Sequence, residues 1–193
     1  VLLDWQAGNI NHFSSADYYA LRVNYCDIIA KAGAVPITIP YNIELIEHYV
    51  ELIDGLLVPG GDYAFDKSWY IATDVPPPYE PTPRFQFDMA MMQAILAKDK
   101  PLLGICAGMQ ILGCMFGSKM VTNIHNYLKT DINHLQGGYD RAKKIHKIKI
   151  IENTLFEQIL QRASPILPDD IAVNSAHQEA IVELGGNVRL NAL

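Results

Sequence analysis

The chain predicts an α/β protein with three layers: a mostly parallel central sheet with helices on both faces. Three observations carry this. Short apolar runs of strand character alternate along the 193 residues with stretches of helical periodicity. Two of those runs, 55–59 and 102–105, are continuous, as expected of strands covered on both faces. Residues 101–117 read as a short strand, a sharp turn and a helix, with Cys106 at the turn.

The elements follow in order. Val1-Leu2-Leu3-Asp4 reads as the tail of a strand. Residues 17–32 form an amphipathic helix that stops at Gly33. Residues 35–40 are a short strand bounded by prolines. A second helix covers 43–53, with apolar residues at 43, 45, 46, 49, 50 and 53. The buried strand 55–59 runs into Gly60-Gly61-Asp62. Residues 63–83, with aromatics and five prolines, read as a long irregular loop. A helix over 85–98 precedes the Cys106 turn. Residues 118–142 are polar, rich in His and Asn, and read as short strands and loops. Residues 144–151 alternate, placing His146, Ile148 and Ile150 on one face of a half-buried antiparallel strand. A short helix over 154–160 and a strand over 171–177 complete the pattern. The chain opens without Met and stops mid-strand, so it reads as one domain, 1–193, lacking its first residues and its C-terminal part.

Half of the residues are apolar and 19% are charged, as in a globular domain. A net charge of −6 with no basic stripe argues against a nucleic-acid partner. No apolar run approaches a membrane span and no signal peptide opens the chain. Three scattered cysteines, Cys26, Cys106 and Cys114, do not form a disulfide framework and fit a reducing cytoplasm. Nothing in the spacing of His125 and His134 suggests a metal site, and no cofactor is implied.

Gly104 and Gly108 bracket the cysteine in G-x-C-x-G, the thiol counterpart of a serine nucleophile elbow. Side chains two residues either side of such a turn would collide with neighbouring elements. The thiol is left pointing out of the sheet at a helix N-terminus, whose dipole favours a thiolate. Acyl transfer also needs donors for the developing oxyanion. Ala107 N–H, next in the turn, is one, and the Gly60-Gly61 strand end is the best source of a second. Sites in such sheets lie beyond the carboxyl ends of the strands, where both segments fall. The base is harder to place among His12, His48, His125, His134, His146 and His177. His48 sits in a helix and His146 in a strand. His177 follows a buried strand, and Glu179 could orient it.

Gly-Ile-Cys-Ala-Gly-Met-Gln at 104–110, Pro-Gly-Gly-Asp at 59–62 and Val-Asn-Ser-Ala-His at 173–177 resemble class I glutamine amidotransferase-like proteins. These have a flavodoxin-like fold. The similarity is nearest to the peptidase C26 branch of γ-glutamyl-γ-aminobutyrate hydrolases and covers nearly the whole chain. Tyr25, Ala32-Gly33 and residues 36–40 match that branch's opening helix and strand, and Arg84 and Asp88 resemble the start of its pre-elbow helix. The resemblance implies Cys106 as nucleophile, Gly61 and Ala107 N–H as the oxyanion hole, and Gly60, Gln110 and His177 as substrate-binding. It moves His177 from base to pocket, because in the family the base and its carboxylate come from a later His-Pro-Glu motif, after one more hairpin, and the sequence stops before that motif would appear. The chain departs from the pattern at Ala107, where Arg is common, and at Gln178-Glu179, where His-Gln is common. The implied activity is hydrolysis of a small γ-glutamyl amide through a γ-glutamyl thioester, in a cytoplasmic protein for which a homo-oligomer is open. Two alternatives stand beside it: a glutaminase delivering ammonia to a synthetase partner, and a non-catalytic binding or sensor relative.

Overall fold

The computed structural model describes residues 1–193 except 7, 9–13, 62, 136–141, 165–167 and 169. His12 and Asp62 therefore lie outside the described residues. The strands are β1 (Asp4–Gln6), β2 (Tyr18–Ala20), β3 (Leu56–Val58), β4 (Leu102–Gly104), β5 (Lys119–Val121), β6 (His146–Lys149), β7 (Asp170–Val173) and β8 (Ala180–Glu183). The helices are α1 (Val23–Lys31), α2 (Ile46–Leu52), α3 (Pro83–Ala97), α4 (Ala107–Met115), α5 (Ile124–Leu128) and α6 (Leu155–Ala163). The protein is α/β, and the chain divides into two compact units, Val1–Asp66 with Pro77–Leu112, and Lys67–Pro76 with Gly113–Leu193.

In the first unit β3 and β4 pair in parallel, Leu56 opposite Leu102 and Val58 opposite Gly104. Backbone hydrogen bonds continue outward from β3. Leu2 N–H donates to Leu57 O at 3.1 Å and Ile39 N–H to Val1 O at 3.0 Å. Leu2 and Ile39 form a parallel bridge. All three β3 residues are buried, which explains why that run carries no polar residue. Helix α3 is capped by Thr82, whose hydroxyl accepts Phe85 N–H at 3.1 Å, and Pro83 follows at the first helical position. Its Phe87, Met91, Met92 and Ile95 join Leu2, Ile39, Val50, Val58 and Phe65 in the core.

In the second unit the strand pairs are antiparallel. β5 lies against β8, and β6 against β7 with His146 opposite Val173. Residues 191–193 run beside β6: Lys149 N–H donates to Leu193 O at 2.7 Å and Ile151 N–H to Asn191 O at 2.9 Å. The expected alternation over 144–151 is present as the half-buried face of β6. Thr154 caps α6 by accepting Glu157 N–H at 3.3 Å.

Several expectations need correction. The expected three-layer architecture with a mostly parallel central sheet is present only in part: the named strands of the described residues pair in four two-stranded sheets, of which β3 with β4 is parallel and the other three are antiparallel. β4 is not covered on both faces: Leu103 is 58% exposed. Residues 18–20 are not helical but form β2, paired with β1, because successive tyrosines suit a strand and the helix starts only at Val23. Residues 35–40 form no strand beyond the Ile39 bridge, since Pro36 and Pro40 cannot donate to a ladder. Residues 124–128 are a short helix where strands and loops were expected, capped by Asn123, whose side chain accepts Asn126 N–H at 2.9 Å.

The elbow glycines act through space. A Cβ on Gly104 would sit 2.6 Å from the backbone of Gly108, and one on Gly108 would collide with the Val58 carbonyl. Gly108→Ala should therefore lower the unfolding free energy by about 1–3 kcal/mol, the usual range for overpacking. Urea denaturation checks this; an unchanged midpoint would mean that the start of α4 shifts freely.

Candidate active site

Cys106 is placed by the transition from β4 to α4. Ile105 N–H donates to Val58 O, extending the parallel ladder by one bond, and Gln110 N–H donates to Cys106 O, opening the helix, each at 3.0 Å. Between those bonds the chain must turn within one residue, and Cys106 does so at φ +54°. A non-glycine residue there costs about 1–3 kcal/mol unless its surroundings impose it. The thiol is exposed, as a nucleophile requires.

Gly60 lies against the cysteine. A Cβ at Gly60 would stand 2.9 Å from Cys106 Cβ and 3.4 Å from Sγ. The β3 end and the elbow are thus brought together, as the pairing of β3 with β4 requires. Ala107 opens α4, so its N–H belongs to the first turn, where amides have no partner within the helix. Its methyl group is buried, and so is Gln110 one turn further on.

Behind Gly60-Gly61 lies a buried charged cluster that sequence reading connected only through resemblance. Arg84, 6% exposed, donates through Nη2 to Gly60 O at 3.0 Å and through Nη1 to Asp4 Oδ1 at 2.8 Å. Its guanidinium carbon stands 4.4 Å from the Tyr63 ring centroid, and Nε lies 3.5 Å from Asp88 Oδ2. Tyr63 OH donates to the same Oδ2 at 2.6 Å. Burial pushes the Asp88 carboxyl up to about 6, although Tyr63 and Arg84 pull it down. Asp88 Oδ1 has no hydrogen-bond partner among the described residues. The signal in the sequence was the i, i+4 spacing of Arg84 and Asp88 on a strongly apolar helix.

In the second unit, His177 is half-buried in a group of three rings. His134 lies 5.0 Å from His177 and 4.9 Å from His146, centroid to centroid. Backbone pairing assembles them: His177 N–H donates to His134 O at 2.9 Å, and β6 sets His146 opposite Val173. His177 Nδ1 meets Glu179 backbone O at 3.0 Å. A carbonyl only accepts, so Nδ1 carries the proton and Nε2 is the acceptor of the neutral ring. Glu179 thus meets His177. That contact comes from the Glu179 backbone, and the carboxylate accepts Tyr70 OH at 2.9 Å. His125, His134 and His177, with Asn123, Asp131 and Gln178, line a cavity of about 330 Å³. His48 is exposed on α2. No group of three or more His, Cys, Asp or Glu among the described residues is placed to hold a metal, and none of their helices is long and apolar enough to cross a membrane.

A glycine-bracketed cysteine on a strand-to-helix turn beside a second glycine-rich strand end defines a candidate acyl-transfer site. Comparison with known proteins gives the class. The sequence matches the Peptidase C26 family over residues 2–193, and the chain belongs to that family. It is 31% identical to a Rickettsia prowazekii protein described as glutamine amidotransferase-like, over 96% of this chain and 78% of that one. A Lactococcus lactis protein of the same description is 29% identical over 85% and 83% of the two chains. In fold, the chain resembles a Thermoplasma acidophilum protein described as a component of GMP synthase. The TM-score is 0.54 at 18% identity, over 99% of this chain and 70% of that one. Family and relatives support an enzyme of hydrolase or amidotransferase type.

Two outcomes follow. Burial first, and then neighbouring histidines, hold His134 below its ordinary range; burial also lowers His177. NMR titration of the ring protons should put both midpoints under the usual value of about 6.5. Because the folded state prefers the neutral rings, this stabilisation is complete above about 6.5 and is lost as pH falls below it. A midpoint at or above 6.5 for either ring would contradict the packing. Among the thiols, burial pushes Cys114 up to about 12, Cys26 is half-buried, and Cys106 is exposed. Iodoacetamide near neutral pH should label Cys106 first by mass spectrometry; equal labelling of all three thiols would remove the case for a special elbow.

Proposed function

We propose that the protein hydrolyses a small γ-glutamyl amide, of the γ-glutamyl-γ-aminobutyrate kind, through a thioester on Cys106. The observation that carries the reading is the exposed thiol at φ +54°, with Gly60 packed against it. In the first step Cys106 Sγ attacks the γ-carbonyl carbon. The C–S bond forms, the carbonyl π pair moves to oxygen, and the Gly61 and Ala107 N–H groups hold the resulting oxyanion. As the oxyanion collapses the C–N bond breaks, and the amine leaves with a proton from a general acid. Water then adds to the thioester carbon, the C–S bond breaks, and glutamate departs while the thiol regains its proton. Gln110 and His177 keep the substrate-binding roles that the family resemblance implies, and a reducing cytoplasm suits a free thiol nucleophile.

A second reading is favoured by the relatives' descriptions: a glutaminase that supplies ammonia to a synthetase. The test offers γ-glutamyl-4-aminobutyrate, γ-glutamyl-p-nitroanilide and glutamine to the full-length protein and to Cys106→Ala. The expected outcome is release of amine with a γ-glutamyl adduct on Cys106 by intact mass, and a loss of about 10³-fold or more in the variant. Substantial turnover of glutamine alone would favour the glutaminase. No turnover of any of the three, with Cys106 still alkylated, would favour a binding or sensor protein. His177→Ala should raise KM more than it lowers kcat; abolition of kcat would make His177 the base.

A further inference from the structure

Gly60 O is held by a side chain that reaches it from another element. Arg84, on the first turn of α3, is one of the few buried charged residues among those described, and besides Nε, 3.5 Å from Asp88 Oδ2, its guanidinium meets three further groups. Nη2 holds Gly60 O at 3.0 Å, Nη1 holds Asp4 Oδ1 at 2.8 Å, and the face rests on Tyr63. The Gly60–Gly61 peptide is trans, since no cis bond occurs among the described residues. In a trans peptide the C=O and the following N–H point in opposite directions. Fixing Gly60 O on Arg84 therefore fixes Gly61 N–H away from it. A Cβ added on the adjoining Gly60 would stand 2.9 Å from Cys106 Cβ, so that side of Gly60 faces the cysteine.

We propose that Arg84 is a positioning residue for the oxyanion hole, clamping the Gly60–Gly61 peptide so that Gly61 N–H stays turned toward an oxyanion formed on Cys106. The inference rests on the reading of Gly61 as an oxyanion donor. Three features support a positioning role over a purely structural one. Nη1 and Nε already face the Asp4 and Asp88 carboxylates, and Nη2 is spent in addition on a neutral carbonyl at the strand end. Asp4 and Tyr63 constrain the guanidinium on two further sides, so its fork has one orientation in which Nη2 meets Gly60 O. The cluster also leaves no room at the peptide it holds: a Cβ on Gly61 would collide with Arg84 Nη1. A lysine, with a single compact ammonium, cannot hold Asp4 and Gly60 in the same fixed fork.

Two variants separate this from a folding defect. Arg84→Lys keeps the charge beside Asp88. Arg84→Met with Asp88→Leu removes the buried charges of that pair together, which commonly preserves folding. On γ-glutamyl-p-nitroanilide, each should lower kcat by about tenfold or more with little change in KM, as for loss of one oxyanion donor. Iodoacetamide alkylation of Cys106, which develops no oxyanion, should stay near the wild-type rate. Independently of turnover, the Gly61 amide resonance in a ¹H–¹⁵N spectrum should shift or broaden in both variants, while resonances of β5 to β8 stay in place. Wild-type kcat in a folded variant, or an unmoved Gly61 resonance, overturns the proposal. If the wild-type protein cleaves no γ-glutamyl amide, the hydrolase reading fails, and the Gly61 resonance alone decides whether Arg84 sets that peptide.

Discussion

Val58 O, at the end of β3, accepts Ile105 N–H from the extension of β4 at 3.0 Å, and the start of α4 lies so close that a Cβ on Gly108 would strike the same carbonyl. Everything at the candidate site depends on that approach. The helix can begin so near the strand only if residue 108 lacks a side chain. The chain then has one residue in which to turn from strand to helix, which forces Cys106 to a left-handed backbone conformation. The turn lifts the thiol out of the sheet and leaves it exposed. The parallel register of β3 and β4, Val58 opposite Gly104, sets Gly60 beside it. Packing thus supplies both the strain and the neighbour that the chemistry requires.

A second constraint is the burial of charge under the strand end. A guanidinium at 6% exposure and a fully buried carboxylate are tolerated only with close partners. Arg84 finds them in Asp4, Gly60 O and the Tyr63 ring; Asp88 finds Tyr63 OH and Arg84. The compensation is incomplete for Asp88, whose second oxygen has no partner among the described residues and whose carboxyl is pushed up to about 6. The sign follows directly: above about 6 the folded state must hold an ionised, partly desolvated carboxylate, so Asp88 subtracts from stability as pH rises through that value. His134 and His177 act in the opposite sense, subtracting as pH falls below about 6.5. The two trends arise in different units of the chain and can be followed separately.

The histidine group shows how backbone pairing creates a site that spacing hides. His134, His146 and His177 are far apart in sequence and carry no ligand-like periodicity. The β6–β7 register sets His146 at the end of the strand that leads to His177, and the Leu135–Ala176 bridge brings His134 to the same place. The carbonyl of Glu179 then fixes the His177 tautomer. A ring that was ambiguous as a lone residue becomes a neutral acceptor lining a cavity with His125 and His134.

Elements whose signals are local could be read directly from the chain. The G-x-C-x-G turn, the all-apolar β3, the helix before the elbow and the alternating β6 each follow from contacts within a few residues, and each is present. Family membership was legible for the same reason, since the elbow and the strand-end glycines are short motifs. What the sequence left open was decided by pairing between distant segments. Tyr18–Ala20 is a strand because β1 offers it an edge, against the helical periodicity of its neighbours. Leu103 is exposed although its run is apolar, because the face it occupies is not covered. Glu179 meets His177 through its backbone because Tyr70 takes its carboxylate, a partner 109 residues away. Arg84 reaches Gly60 across 24 residues. Such contacts leave no periodic trace in the chain, because they depend on which side chains the folded core brings within hydrogen-bonding distance.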